Sequence, residues 1–282
     1  MRLKPRPWPG ARRHPSGDAP AQRPFSAAGP EGTLKLVTYN IHSCIDTMRA
    51  VDMERTAQVI AETGAEVVAL QEVDVNKART GRVDQARWLA DRLGMNHRFY
   101  PVVKTGAERY GLAVLASLPM QTVRCGRLPA PAARRPRELR GAMWLRLSTA
   151  RGAVNLFNTH LGLRAAERLA QIRNLLGGGW IGGLAEDEPV VFCGDFNAGR
   201  RSPVYREINR RLVDVHRLRG TGAPQPTFLS FYPILCLDHI FVSPRFSVVR
   251  SAVPSTRLAR RASDHLPVFA ELLLTGAEKE AS

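Results

Sequence analysis

Paired cysteines, long apolar runs and acidic residues are all scarce in this chain. Its four cysteines, Cys44, Cys125, Cys193 and Cys236, stand far apart and form no C-x-x-C pair, which argues against a zinc knuckle or a dithiol redox motif. Buried free thiols in a reducing compartment are the simplest expectation. No stretch reaches the roughly 18 to 20 apolar residues of a membrane span. No apolar segment follows Arg12-Arg13 as an export signal requires. The expectation is therefore a cytoplasmic protein, taken as a monomer. Aromatics make up only 7% of the 282 residues, but the apolar fraction is 44%, enough for a sizeable core, so disorder throughout is excluded.

The shortage of acids leaves 25 Asp and Glu against 41 Lys and Arg, a formal charge of +16. Such a surface attracts polyanions: nucleic acid, anionic lipid headgroups or phosphorylated metabolites. Nearly all the positive residues are Arg, whose planar fork grips a phosphate with two parallel hydrogen bonds.

Residues 1–32 are rich in Pro, Arg, Ala and Gly without apolar periodicity, the composition of a disordered basic tail. One domain follows over 33–274, and 275–282 form a short C-terminal tail. Within the domain, apolar or alternating runs predict strands at 34–40, 67–73, 111–117, 142–148, 154–160, 190–197, 237–243 and 266–273. Three amphipathic stripes predict helices. The first starts after Asp52 and stops at Gly64, the second carries Val83, Ala86, Ala90 and Leu93 before Gly94, and the third carries Leu169, Ile172 and Leu176 before Gly177. Strands and helices do not alternate strictly, which disfavours a parallel doubly wound sheet. The expected fold is α/β, two packed mixed β-sheets flanked by helices in a four-layer sandwich.

Several predicted strands stop at a residue that binds metal or phosphate: Asn40, Gln71-Glu72, Thr159-His160 and Gly194-Asp195-Phe196-Asn197. Asp238-His239 interrupts another, and Ser263-Asp264-His265 precedes the last. A single such ending signals only a turn; six together suggest a site. Phosphoryl transfer needs negative charge neutralised and a nucleophile held in line. A hard cation such as Mg²⁺ takes one or two carboxylates, an amide oxygen and waters. Asn40, Glu72 and Asp264 are of that type. His160, His265, Asp195 and Asn197 supply imidazoles, a carboxylate and an amide suited to proton transfer and water positioning.

The set TYNIH (38–42), QEVD (71–74), NTHLGL (158–163), GDFNA (194–198), LDHIFVS (237–243) and SDHLPV (263–268), in this order, resembles the endonuclease/exonuclease/phosphatase superfamily. Its members include pancreatic-type deoxyribonucleases, abasic-site endonucleases, inositol polyphosphate 5-phosphatases and bacterial sphingomyelinases. The resemblance covers residues 33–274. It implies that Asn40 and Glu72 hold a Mg²⁺ or Mn²⁺ ion, with Asp264 close to the same ion or a second. His160 and His265 would flank the scissile phosphate, and Asp195, assisted by Asn197, would orient or deprotonate the attacking water. Asp238 would hydrogen-bond His265 and fix its tautomer; the general base is left open between Asp195 and the Asp238/His265 pair. Glu108-Arg109-Tyr110 resembles the deoxyribonuclease branch, where a Glu at this place supports the first His. Arg140-Gly141 resembles a pair of small bacterial members, and Arg140, Glu108 and Tyr110 are taken as substrate or phosphate contacts. His42 departs from the abasic-site branch, which tends to carry an acid there. His239 is expected to be packed or solvated beside Asp238.

The implied activity is metal-dependent hydrolysis of phosphate esters, with nucleic acid as the leading substrate. Arg-rich connections at 124–140, 200–219 and 245–261 suit a nucleic-acid backbone. The alternatives are a phospholipid or sphingomyelin-type phosphodiesterase, an inositol phosphate phosphatase, or a noncatalytic polyanion binder. The last is disfavoured because the whole set of site residues is present.

Overall fold

The computed structural model describes residues 31–130, 138–218 and 225–275; the two expected tails fall almost wholly outside them. The first sheet runs, in spatial order, β11 (Phe246–Ala252), β12 (Val268–Leu274), β1 (Leu34–Asn40), β2 (Val67–Val75), β4 (Glu108–Ala116) and β3 (Asn96–Thr105). The second runs β5 (Met120–Arg127), β6 (Gly141–Thr149), β7 (Gly152–His160), β8 (Val190–Asp195), β10 (Asp238–Val242) and β9 (Val213–Asp214). In each sheet the central pair, β1/β2 or β7/β8, is parallel and its neighbours are antiparallel. A parallel pair needs a crossover; α1 (Met53–Thr63) provides the first and α3 (Ala165–Leu175) the second. The two halves therefore repeat one plan, although no sequence repeat announces it.

The helix ends follow their capping chemistry. Asp52 accepts the Arg55 amide at 2.8 Å and Gly64 takes the left-handed conformation that closes α1. Asp84 and Gly94 do the same for α2 (Gln85–Leu93). One buried cluster joins the inner faces of both sheets, with Leu36, Leu145, Leu156, Cys193 and Ile240 among its members, and extends to Ile60 and Leu89 of α1 and α2. A second, built around Phe157, Phe192 and Phe241, packs α3 and α4 (Pro203–Ile208) against the outer face of the second sheet. These are the four layers expected.

A polar bridge crosses the apolar interior. Gln71 Nε2 donates to Asn158 Oδ1 at 2.8 Å, and Asn158 Nδ2 donates to the carbonyls of Leu70 and Ala113, each at 3.0 Å. Both side chains are fully buried, so the bridge ties β7 to β2 and β4 just below the strand ends. Asn158→Ala would strand these partners away from water, and denaturant unfolding should show a loss of roughly 2–4 kcal/mol, from two or more buried groups left unpaired. A change within about 0.5 kcal/mol, the range of an ordinary surface substitution, would show that the sheets are held in place without it.

Candidate active site

Parallel strands deliver their C-terminal ends to one edge, and the ladder register puts the polar residues side by side there. His160 at the end of β7 stands opposite Asp195 at the end of β8, and Asp195 stands opposite Asp238, the first residue of β10. Asp238 thus opens its strand rather than interrupting one. Gly194 is needed beneath them: its φ is +145°, and a Cβ there would sit 2.0 Å from the Thr159 carbonyl oxygen. In the first sheet Asn40 ends β1, and a bulge between Leu70 and Val73 of β2 carries Glu72 at φ +59°. A bulge re-aims a side chain at the cost of ladder pairing, and a left-handed non-glycine residue costs on the order of 1–3 kcal/mol.

Asp195 is where the two sheets meet. Its Oδ2 accepts from Asn40 Nδ2 at 3.0 Å and lies 3.3 Å from His160 Nε2 and 3.8 Å from His265 Nε2. The Asn197 amide donates to its Oδ1 at 2.9 Å. Asn40 Nδ2 also donates to Glu72 Oε1 at 2.9 Å, while Asn40 Oδ1 accepts the His42 amide. Asp238 Oδ2 accepts from His265 Nδ1 at 2.8 Å and from the Thr227 hydroxyl at 2.6 Å. His265 is further fixed by the Phe228 ring, 4.9 Å away between centroids.

These contacts set the protonation states. Burial, then the charge of Asp238, push Asp195 up to about 7, against His265, the Asn197 amide and Asn40. Burial opposes a charge on His265, but Asp238 and Asp195 outweigh it and raise the imidazole to about 10. His160 moves the other way, well below its usual value, through burial and the positive charges of Arg140 and His265. Arg140 Nη1 lies 3.0 Å from His160 Nδ1. A guanidinium can only donate, so Nδ1 accepts and the neutral ring carries its proton on Nε2, facing Asp195. In that tautomer the 3.2 Å approach of Asn197 Nδ2 to Nε2 is a close contact and not a hydrogen bond; Asn197 Nδ2 instead donates to the Leu161 carbonyl at 2.9 Å.

The structure departs from the expectation for Glu108. Glu108 does not support His160: at the start of β4, its carboxylate accepts the Ala78 amide at 2.9 Å. Arg140 holds that place instead, buried and paired with Glu138 at 2.9 Å. Tyr110 is also buried; it lines one crevice with Arg140 and His160 and lies 5.7 Å from the Arg79 guanidinium. His239 is packed, one of the two environments expected for it. It is fully buried, with Nδ1 3.0 Å from Asp214 Oδ2 and Nε2 3.1 Å from the Ala198 carbonyl, and contacts to Cys236 and Asp214 outweigh burial and keep its pKa well above the usual value. Sequence reasoning missed Thr227, Glu138 and the Ser263 hydroxyl, which donates to the Asn40 carbonyl at 2.8 Å. Ser263 begins the SDHLPV motif, but no local signal marks Thr227, eleven positions from its partner.

The donor set suits a hard cation. Glu72 and Asp264 offer carboxylates that are only partly buried, and Asp264 Oδ1 lies 3.9 Å from His42 Nδ1. Such oxygen ligands are what Mg²⁺ and Mn²⁺ prefer. Asp195, Asp238 and His265 also bring one donor atom each within 4.8 Å of one another. The hydrogen bond between His265 and Asp238, however, makes this trio an acid/base cluster first.

Two mixed sheets with carboxylates and imidazoles gathered at one edge define a phosphoesterase-type hydrolase. The chain belongs to the endonuclease/exonuclease/phosphatase family, whose model matches residues 37–265. It is 28% identical to the protein YbhP of Escherichia coli K12 over 252 residues, covering 86% of this chain and 97% of YbhP. The endonuclease/exonuclease/phosphatase of Beutenbergia cavernae superposes with a TM-score of 0.70 at 24% identity, over 87% of this chain and 72% of that one. The Danio rerio protein TDP2, solved with a single-strand DNA product, superposes with a TM-score of 0.64 at 18% identity, over 86% of this chain and all of that one. No helix among the described residues is long and apolar enough to cross a membrane.

Proposed function

We propose that the protein is a Mg²⁺- or Mn²⁺-dependent phosphodiesterase acting on nucleic acid. One observation carries this reading: a single carboxylate oxygen, Asp195 Oδ2, lies where the Asn40 amide and the imidazoles of His160 and His265 converge. Glu72 and Asp264, with Asn40 beside Glu72, are the residues that would hold the ion. When bound, it supplies charge neutralisation at the phosphoryl oxygens. Asp195, raised to about 7, is suited to accept a proton from water near neutral pH, and Asn197 fixes its orientation. His265, positively charged, faces the same space and stabilises negative charge developing on the phosphate. Asp238, itself held by Thr227, keeps the His265 proton on Nδ1. His160 donates through Nε2, and Arg140 holds its tautomer.

The nucleic-acid assignment draws support from the +16 charge and the Arg-rich connections, and from the DNA product bound to the TDP2 neighbour. A lipid phosphodiester is the second reading. It is favoured by Phe231, Tyr232, Ile234 and Leu235, exposed on the loop that also carries Phe228. The test is turnover of plasmid, abasic DNA, RNA, phosphoinositide and sphingomyelin with and without Mg²⁺. Metal-dependent cleavage of DNA or RNA is expected, whereas cleavage of sphingomyelin or phosphoinositide alone would replace the first reading by the second.

A further inference from the structure

Three residues beyond Asn197, an open depression of about 440 Å³ is lined by Arg200, Arg201, Tyr205, Arg206, Asn209 and Arg217. Four guanidiniums thus share one wall that contains no carboxylate among the described residues. Elsewhere several arginines are paired with acids: Arg55 with Asp46 and Asp52, Arg79 with Asp74, Arg92 with Glu54, Arg140 with Glu138. The acids near the depression are already engaged. Glu207 pairs with Arg210 at 2.8 Å, and Asp214 receives His239 at 3.0 Å and the Tyr205 hydroxyl at 3.1 Å. Like charges gathered without a counter-charge repel, and an arriving anion relieves that repulsion.

The wall is also held rigidly. Ser202 caps α4 by accepting the Tyr205 amide at 3.1 Å, Pro203 starts the helix, and Val204, Tyr205 and Ile208 are buried. The backbone that carries Arg200, Arg201 and Arg206 is therefore fixed, and Arg217 reaches in from the short helix Val215–Leu218 toward Asn209 Oδ1 at 3.5 Å.

We propose that this pocket binds a backbone phosphate of a nucleic-acid strand, a few nucleotides from the phosphate cleaved at Asp195 and His265. The inference rests on the nucleic-acid reading above. Arg200 lies three positions after Asn197, a reach of about 11 Å at most, and a strand that rises roughly 3.4 Å per nucleotide presents phosphates at both places. Guanidinium forks match phosphate oxygens in pairs. A lipid headgroup, with its phosphate beside the bilayer surface, does not present such a series.

The experiment compares the full-length protein with Arg206→Gln/Arg217→Gln and, separately, Arg200→Gln/Arg201→Gln. Binding of a labelled single-stranded oligonucleotide is followed by fluorescence anisotropy in EDTA, so that no cleavage intervenes, and thermal melting confirms the fold of each variant. Each double variant should bind roughly tenfold more weakly at about 50 mM salt, with the slope of log affinity against log salt shallower by about 0.7 for each phosphate no longer neutralised. Wild-type affinity and slope in both folded variants would overturn the proposal. So would loss of binding to phosphatidylglycerol vesicles with oligonucleotide binding intact. If the wild type cleaves no nucleic acid and the variants still lose oligonucleotide affinity, the pocket stands and the catalytic substrate reading falls.

Discussion

Chelation with EDTA should abolish turnover on any phosphodiester the enzyme accepts, and Mg²⁺ or Mn²⁺ should restore it. The expectation follows from how negative the site is within a strongly positive protein. Asp195, Asp238, Glu72 and Asp264 gather at one edge, and the positive partners His265 and Arg140 are committed to Asp238 and to Glu138. A phosphate diester and an attacking water bring more negative charge to the same place as the transition state forms. His265 alone cannot balance it, whereas a divalent cation held by Glu72 and Asp264 would. Glu72→Gln keeps an oxygen that can accept from Asn40 Nδ2, so the local fold should persist while the ligand's charge is lost. Its turnover should need more Mg²⁺ to reach half its maximum, as a metal titration would show. Full activity of the wild type in metal-free buffer would remove the metal from the mechanism.

His265→Ala and Asp238→Ala should each lower kcat by roughly 10² or more, the usual loss for a positioned acid/base group. Together they should lose less than the product of the two. The reason is the 2.8 Å hydrogen bond between them: without Asp238 the imidazolium loses its orientation and a carboxylate that sustains its charge, and without His265 the carboxylate has nothing to orient. Residues that act as a unit are non-additive in this way. A double-mutant cycle in kcat measures the coupling, and losses that simply multiply would mean that the two act independently. Asp238 is a positioning residue here, since it reaches the reacting atoms only through His265.

The eight strands predicted from apolar runs correspond to β1, β2, β4, β6, β7, β8, β10 and β12, and these are the eight interior strands of the two sheets. The four missed, β3, β5, β9 and β11, are all edges. An edge strand is partly solvated, so its side chains need not alternate. β5 is mostly exposed, and β3 contains Pro101 and is mostly exposed or half-buried, as edge strands tolerate. For the site, contiguous motifs were legible because each lies at or beside the end or the start of a strand. The Thr227–Asp238 and Arg140–His160 contacts were not, because a hydrogen bond between residues distant in sequence leaves no periodic trace.

What the sequence determined by itself was therefore local: which runs would be buried on both faces, where helices start and stop, and which strand ends carry polar residues whose combination resembles one family. Only the tertiary structure decided that the two halves repeat one plan, that Arg140 and not Glu108 faces His160, that His239 belongs to a buried pair with Asp214, and that four arginines share one pocket without a carboxylate among the described residues. Those facts depend on the register between strands and on which side chains meet across it. Two residues brought together in space carry no mark of the meeting in the order of the chain.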